Sequence, residues 1–183
     1  MRTQSHPRPF QKKEVNEKLI FSRQSKGSII DPAAARITIS MLEGVRESDS
    51  SVYWLIKKYG INFPCAGKTG TTSNYNDAWF IGYNQDMVTS IWIGNKTGSV
   101  SLGSGRSASG ITAPVWAEYI SEVYRENKPA AFTSDIDKLT SEIICLESGG
   151  VAGRNGECPK TAVQFFYSGS EPGKFCGIHV RQH

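Results

Sequence analysis

Residues 66–72 read Ala-Gly-Lys-Thr-Gly-Thr-Thr, and residues 77–80 read Asp-Ala-Trp-Phe. The apolar pattern around both stretches changes from helical to extended after Phe63, which predicts β-strands separated by short polar turns. The expected strands cover residues 63–72, 78–83 and 87–94. Such short connections favour antiparallel pairing between neighbours in the sequence.

The first of these strands carries residues suited to holding a carboxylate and an acyl oxygen. Lys68 offers a positive charge, and Thr69 and Thr71 offer hydroxyl groups two positions apart. Gly70 has no side chain and would let a ligand backbone come close. Backbone N–H groups on such a strand can also stabilise a developing oxyanion, each well-placed donor contributing ~3 kcal/mol.

Two features limit what this strand can do. No serine stands three positions before a lysine anywhere in the 183 residues, so an S-x-x-K nucleophile is absent from this sequence. A phosphate-binding loop at Gly67-Lys68-Thr69 is also excluded. Such a loop needs a glycine where Asn62 stands, and it must lead into a helix rather than a turn and a strand.

Helices are predicted on both sides of the strands. Asp31 and Pro32 are helix-start signals for a helix over 32–46, and a short apolar stripe over 52–59 ends at Gly60. A glycine-rich loop over 95–110 is followed by a helix that we expect to open at Thr112 and Pro114 and to pack on the sheet. Four further side chains are expected to be core residues: Cys65, Trp79, Trp92 and Trp116.

The charge distribution separates a basic leader from the rest of the chain. The formal net charge is +4. Residues 1–26 hold the whole surplus of positive charge, so the rest of the chain is nearly neutral. This distribution argues against nucleic-acid binding. We expect this leader to be poorly ordered. The sequence shows neither a membrane span nor a signal peptide, so any export signal or anchor would lie upstream.

The composition shifts to Pro, Ser and Gly after Asn127, which predicts a small cysteine-containing appendage over 128–183. Its three cysteines are Cys145, Cys158 and Cys176, and none forms a C-x-x-C pair. We therefore expect a disulfide within the appendage, and neither a metal nor a cofactor. Zinc bound by these cysteines and His179 is the less favoured alternative, because the spacing is poor for it.

The sequence resembles the transpeptidase domain of penicillin-binding proteins, particularly the bifunctional class A enzymes. The similar segments are residues 30–35, 41–45, 66–72, 77–83, 91–94, 113–116 and 165–172, followed by Cys176 and His179. The resemblance implies an α+β chain with a partial penicillin-recognising serine transpeptidase fold, which is β-lactamase-like and has an antiparallel sheet with packed helices. Residues 27–127 would be the C-terminal part of that domain.

The family uses three motifs, S-x-x-K, S-x-N and K-T-G, of which only K-T-G is present. By the resemblance, Lys68 would be catalytic, assisting proton handling. Thr69, Gly70 and Thr71 would bind substrate. The Thr71 N–H would be one oxyanion donor, and the other would come from the missing serine.

The resemblance therefore implies a C-terminal fragment of a peptidoglycan D,D-transpeptidase, inactive alone, that cross-links stem peptides within the complete enzyme. Its ligands there would be the peptidoglycan stem peptide and β-lactams, at the extracytoplasmic face of the cytoplasmic membrane or in the periplasm. The alternative is a non-catalytic module of cell-wall synthesis that binds peptidoglycan or a partner. Stable acylation by penicillin separates the two, because it requires the nucleophile.

Overall fold

The computed structural model describes residues 11–15, 18–22, 30–98, 100–133, 136–154 and 156–180. The chain forms two compact units, residues 1–31 and residues 32–183. In the first unit, β1 (Gln11–Val15) and β2 (Lys18–Ser22) pair as an antiparallel hairpin. The sequence did not predict this hairpin, because the segment lacks the sustained alternation by which strands are recognised in a sequence. Poor order of the leader as a whole stays a prediction. The rest of the leader lies outside the described residues.

The second unit begins with the two predicted helices. α1 (Pro32–Leu42) continues into one turn of 3₁₀ helix at Glu43–Arg46, so the predicted helix over 32–46 tightens over its last four residues. α2 (Tyr53–Lys58) follows. Gly60 then has a φ of 60°, a conformation that favours glycine, and it ends the helical segment as predicted.

The three predicted strands form one antiparallel sheet in the order β3-β4-β5. The strands are β3 (Ala66–Thr71), β4 (Asp77–Tyr83) and β5 (Val88–Gly94). The register sets Thr69 opposite Phe80 and Trp79 opposite Trp92. β3, which carries the lysine-threonine-glycine sequence, therefore lies at one edge of the sheet.

The third helix, α3 (Ala108–Val123), packs on this sheet but begins four residues before the predicted start at Thr112. Pro114 suggested a first helical turn, whereas it lies in the second turn of the helix. The sequence signal was misleading because the true start is fixed by a distant partner. The hydroxyl oxygen of Thr71 accepts the N–H of Ala108 at 3.0 Å.

The main core lies between α3 and the sheet. Trp116 is 2% exposed, and its ring lies 4.9 Å from that of Phe80. Gly82 leaves the space that the Trp116 ring occupies, because a Cβ there would overlap the indole. Burial of Leu55 from α2 in the same core connects the first helices to the sheet.

Two of the three tryptophans assigned to the core are not buried there. Trp79 and Trp92 are each 42% exposed, and their rings lie 5.9 Å apart. The Trp92 Nε1–H donates to Asp77 Oδ1 at 3.0 Å. The prediction was wrong for these two because cross-strand pairing puts both on the face of the sheet opposite to α3, a placement that hydrophobicity alone does not reveal.

The tail of the chain forms a second small sheet from β6 (Leu139–Cys145) and β7 (Thr161–Tyr167). This sheet contacts α1, where the Arg36 guanidinium lies 4.2 Å from the centroid of the Phe165 ring and pairs with Glu43 at 3.0 Å. Residues 32–183 thus form one compact unit, and a boundary at residue 127 stays a prediction. Among the described helices, none has the length and apolar character needed to cross a membrane.

Candidate functional site

Lys68 and Thr69 of the lysine-threonine-glycine sequence face a groove at the edge of the sheet. The groove has a volume of about 490 Å³, and Gly67, Lys68 and Thr69 form one side of it, opposite residues 41–52. Lys68 is exposed, and its Nζ donates to the Thr69 carbonyl oxygen at 3.0 Å and lies 3.5 Å from the Thr69 hydroxyl. An ammonium and a hydroxyl are thus held together at the groove, which is a suitable pair for a carboxylate.

The backbone of β3 leaves hydrogen-bonding groups free along the same edge. The Thr72 N–H donates to the Asp77 carbonyl oxygen at 3.1 Å, which makes this a hydrogen-bonded pair. The preceding pair, Thr71 with Ala78, is then a non-hydrogen-bonded pair, so the Thr71 N–H points away from β4. No strand of the described residues pairs with β3 on that side.

The side chains of the four predicted site residues divide between the two faces of β3. Thr69 and Thr71 pair with Phe80 and Ala78, which are buried on the α3 side, whereas Lys68 and Gly70 alternate with them. The Lys68 side chain is long enough to bend around the strand, so its ammonium still lies 3.5 Å from the Thr69 hydroxyl. The hydrogen bond from Ala108 to Thr71 was not foreseen, because nothing local in the sequence connects two residues 37 positions apart.

The two glycines of β3 differ in the space that the structure leaves for a side chain. A Cβ on Gly67 would lie 2.9 Å from the Ile81 carbonyl oxygen and 3.0 Å from the Phe80 ring, so packing demands glycine there. A Cβ on Gly70 would meet only the Trp79 Cβ, at an ordinary contact distance of 3.5 Å. Packing within the described residues therefore leaves room for a side chain at Gly70.

Cys65, which immediately precedes β3, is a core residue as predicted. Its exposure is 0%. Burial raises the pKa of its thiol to about 11, although Arg46 acts in the opposite direction. The side chain is therefore a neutral thiol at pH 7, packed in the main core.

A second cluster of reactive groups lies in the tail. The ligand atoms of Cys145, Cys158, Cys176 and His179 all lie within 4.8 Å of one another, and the three cysteines are buried. The predicted disulfide is absent, because all three tail cysteines have free thiols. The spacing argument missed this cluster since the four residues come from separate turns that long-range backbone bonds bring together.

His179 is held between this cluster and a carboxylate. Its Nδ1 lies 3.3 Å from Cys176 Sγ and 3.5 Å from Cys145 Sγ, and its Nε2 lies 3.3 Å from Glu147 Oε2. Burial acts to raise the pKa of Cys176, but hydrogen bonds from Ser148 and from the backbone around His179 outweigh it and lower that pKa to about 5. The pocket thus favours a thiolate at Cys176.

No family model matches this chain, whereas individual proteins do. It is 33% identical over 138 residues to the penicillin-binding protein 1A of Pseudomonas aeruginosa, which covers 75% of this chain and 16% of that protein. The similarly named protein of Aquifex aeolicus is 43% identical over 60 residues, covering 33% of this chain and 8% of its own length. That of Clostridium perfringens is 28% identical over 169 residues, covering 88% of this chain and 19% of that protein.

A solved structure shows the same fold. The crystal structure of penicillin-binding protein 1A from Haemophilus influenzae matches 80% of this chain and 22% of that one, with a TM-score of 0.66 and 23% identity. The chain belongs to the penicillin-binding protein family. The resemblance inferred from the motifs and the α+β penicillin-binding protein fold are thereby confirmed.

The chain spans less than a fifth of the length of these three penicillin-binding proteins. The described residues contain the lysine-threonine-glycine strand, the helix that packs behind it and the tail. The serine motif of a complete penicillin-binding protein is absent from the 183 residues.

Proposed function

We propose that this chain is the C-terminal part of a peptidoglycan D,D-transpeptidase and supplies one wall of its acyl-transfer cleft. The wall consists of Lys68, Thr69, Gly70 and Thr71 on the edge strand β3. The serine nucleophile is supplied by a part of the complete enzyme outside these 183 residues. The chain alone is therefore inactive.

In the complete enzyme, a serine hydroxyl attacks the carbonyl of one stem peptide, the amine side of the broken bond leaves, and an amine of a second peptide then displaces the serine. The Thr71 N–H, which points to the free edge of β3, donates to the oxyanion that forms at each attack. The second donor is the N–H of the absent serine.

The remaining residues of the wall bind and position the substrate. The Lys68 ammonium and the Thr69 hydroxyl, 3.5 Å apart, bind the peptide carboxylate, and Lys68 assists proton transfer from the cleft side. The Thr71 hydroxyl accepts from Ala108 and still has its own proton to donate to the same carboxylate. Gly70 lets the extended peptide approach the strand.

The observation that carries this proposal is the exposed Lys68 on a sheet edge that no described strand covers, beside a groove. An extended peptide can pair with such an edge through backbone hydrogen bonds, while the side chains select its carboxylate. The family relationship supports the same assignment, since the curated relatives are named for binding penicillin.

The test is acylation by fluorescent penicillin. Membranes of the source bacterium are labelled, and the polypeptide is captured with an antibody raised against residues 27–127. We expect a labelled band several times larger than 20.1 kDa, which disappears after pretreatment with unlabelled penicillin. The purified 183-residue chain should remain unlabelled.

A captured polypeptide near 20 kDa that never takes up the label, alone or in membranes, would contradict the transpeptidase assignment. That result would favour a non-catalytic module that binds peptidoglycan or a partner. For the complete enzyme, we propose stem peptides and β-lactams as ligands. We also propose a location at the extracytoplasmic face of the cytoplasmic membrane, reached through an anchor outside this chain.

A further inference from the structure

A group of four side chains takes no part in the proposed acyl transfer. We call it the tail cluster, and it consists of Cys145, Cys158, Cys176 and His179. Three thiols and one imidazole converge in one small volume, and all four ligand atoms lie within 4.8 Å of one another. Three sulfurs and one imidazole nitrogen form a donor set typical of structural zinc sites. We propose that the tail cluster binds one Zn²⁺ ion in a closed tetrahedral site.

The measured distances fit such a site. With Zn–S bonds of about 2.3 Å and a Zn–N bond of about 2.0 Å, tetrahedral geometry separates a sulfur from the nitrogen by roughly 3.5 Å. The Nδ1 atom of His179 lies 3.5 Å from Cys145 Sγ and 3.3 Å from Cys176 Sγ. Two edges of the tetrahedron are thus already at the required length, and the remaining ligand atoms lie within 4.8 Å of one another.

The surroundings of the ligands also match a zinc site. The other ring nitrogen of His179, Nε2, lies 3.3 Å from Glu147 Oε2. A carboxylate in this place would orient the imidazole so that Nδ1 points to the metal. The His179 backbone N–H donates to Cys176 Sγ at 3.3 Å. This sulfur therefore has a donor that stabilises its thiolate.

The tail also has a physical need for such an ion. The buried cluster around the three cysteines contains only one other buried side chain, Ala152, with Val180 packed against it. Four small side chains exclude little apolar area from water, so a metal ion or a disulfide would add to the stability of this region. A zinc ion would join the end of β6 to the loop at Cys158 and to the Cys176–His179 turn.

A disulfide accounts for the cluster less well. One disulfide would use two of the three thiols and leave the third buried beside His179 without a bonding partner. The zinc site uses all four groups, and it explains the paired contacts of His179 with sulfur on one side and with carboxylate on the other.

The first measurement is the metal content of the full 183-residue chain, purified under reducing conditions from cells grown with added zinc. We expect one zinc per chain by inductively coupled plasma mass spectrometry. We also expect Co²⁺, when exchanged for zinc, to show the thiolate charge-transfer and intense visible bands of a tetrahedral site. Metal-free chain would overturn the proposal, whether its three tail thiols are open to alkylation or its mass shows that two of them form a disulfide.

Variants test whether the metal is held by these residues. Cys176→Ser and His179→Ala should each lose the bound zinc, whereas Cys65→Ala, which removes the one cysteine outside the tail, should retain it. Zinc that remains in both ligand variants would overturn the proposal, because it would be bound elsewhere.

A milder change keeps the test informative if a ligand variant fails to fold. Glu147→Gln leaves all four ligands in place but weakens the orientation of His179, so zinc affinity measured by chelator competition should fall about 10- to 100-fold. Glu118→Gln, an exposed change on α3, should leave the affinity unchanged. Equal affinities for the two variants would contradict the proposed geometry.

Discussion

At the scale of single residues, position rather than sequence gives the lysine its proposed role. The tripeptide Lys-Thr-Gly occurs twice in the chain, at 68–70 and at 96–98. Lys68 lies on the edge strand β3 beside the groove, whereas Lys96 lies exposed in the turn after β5. The two lysines therefore form a natural matched pair.

Replacing Lys68 by alanine in the complete enzyme should reduce the rate of penicillin acylation by roughly 100-fold or more, since a positioned proton-transfer group contributes at least that much. The rate is measured by stopped-flow or gel-based labelling with fluorescent penicillin. Lys96→Ala should acylate at the wild-type rate. A similar loss in both variants would point to a general effect of charge instead.

Alanine substitutions at the two glycines of β3 should distinguish an effect on packing from an effect on ligand access. Gly67→Ala forces its Cβ against the Ile81 carbonyl oxygen and the Phe80 ring, so it should lower the free energy of unfolding by about 1–3 kcal/mol. Gly70→Ala meets only an ordinary contact and should leave that free energy within about 0.5 kcal/mol. Urea unfolding of the chain at low concentration, followed by tryptophan fluorescence, measures both.

Gly70→Ala should nevertheless slow acylation of the complete enzyme, because its methyl group would stand where the peptide backbone approaches β3. A Gly70→Ala enzyme that is both stable and fully active would contradict the proposed path of the substrate along this strand.

At the scale of elements, the Thr71 hydroxyl connects the site strand to the helix behind it. Its bond with the Ala108 N–H satisfies a backbone donor at the first residue of α3, as a capping side chain would. Ser107, at the N-cap position itself, makes no such side-chain bond. The stability of this helix end is thus coupled to the geometry of the proposed oxyanion donor.

Thr71→Val removes the acceptor while it keeps the shape of the side chain, so the free energy of unfolding should fall by about 0.5–2 kcal/mol. Thr71→Ser retains the hydroxyl and should restore most of that loss. Urea unfolding of the two variants beside the unchanged chain gives the comparison. An equal stability of the valine and serine variants would show that the bond contributes nothing.

At the scale of the whole molecule, much of the sheet face opposite α3 is exposed among the described residues. The face opposite α3 exposes Trp79, Ile81, Trp92 and Val88, with exposures from 42% to 72%. Apolar side chains grouped in this way mark a surface that another part of a protein covers, or a site of aggregation. This exposure agrees with a chain that forms part of a larger domain.

The purified chain should therefore self-associate, and this exposed face should be the cause. Light scattering and binding of the dye ANS should both increase with protein concentration. The double variant Ile81→Thr, Val88→Thr should reduce both signals, whereas Val115→Thr on the solvent side of α3 should reduce them less. A monomeric, ANS-negative chain at high concentration would contradict this prediction.

Much of the fold could be predicted from the sequence because its signals are local. The extended pattern after Phe63 placed β3, β4 and β5, and the helix signals at Asp31 and Pro32 placed α1. The start of α3 was misplaced because a hydrogen bond from a strand 37 residues away fixes it. Trp79 and Trp92 were misassigned because the face of a strand is decided by what packs on it.

The sequence by itself determined the family, the lysine-threonine-glycine strand and the absence of an S-x-x-K serine, since each is a property of neighbouring residues. Only the tertiary structure decided that Lys68 faces a groove, that the Thr71 hydroxyl is bonded to α3 and that three cysteines meet His179. The physical reason is the large number of residues that separate the interacting partners along the chain. The ligands at 145, 158, 176 and 179 converge only after β6, β7 and their connecting turns have packed, and no periodicity in the sequence encodes that distance.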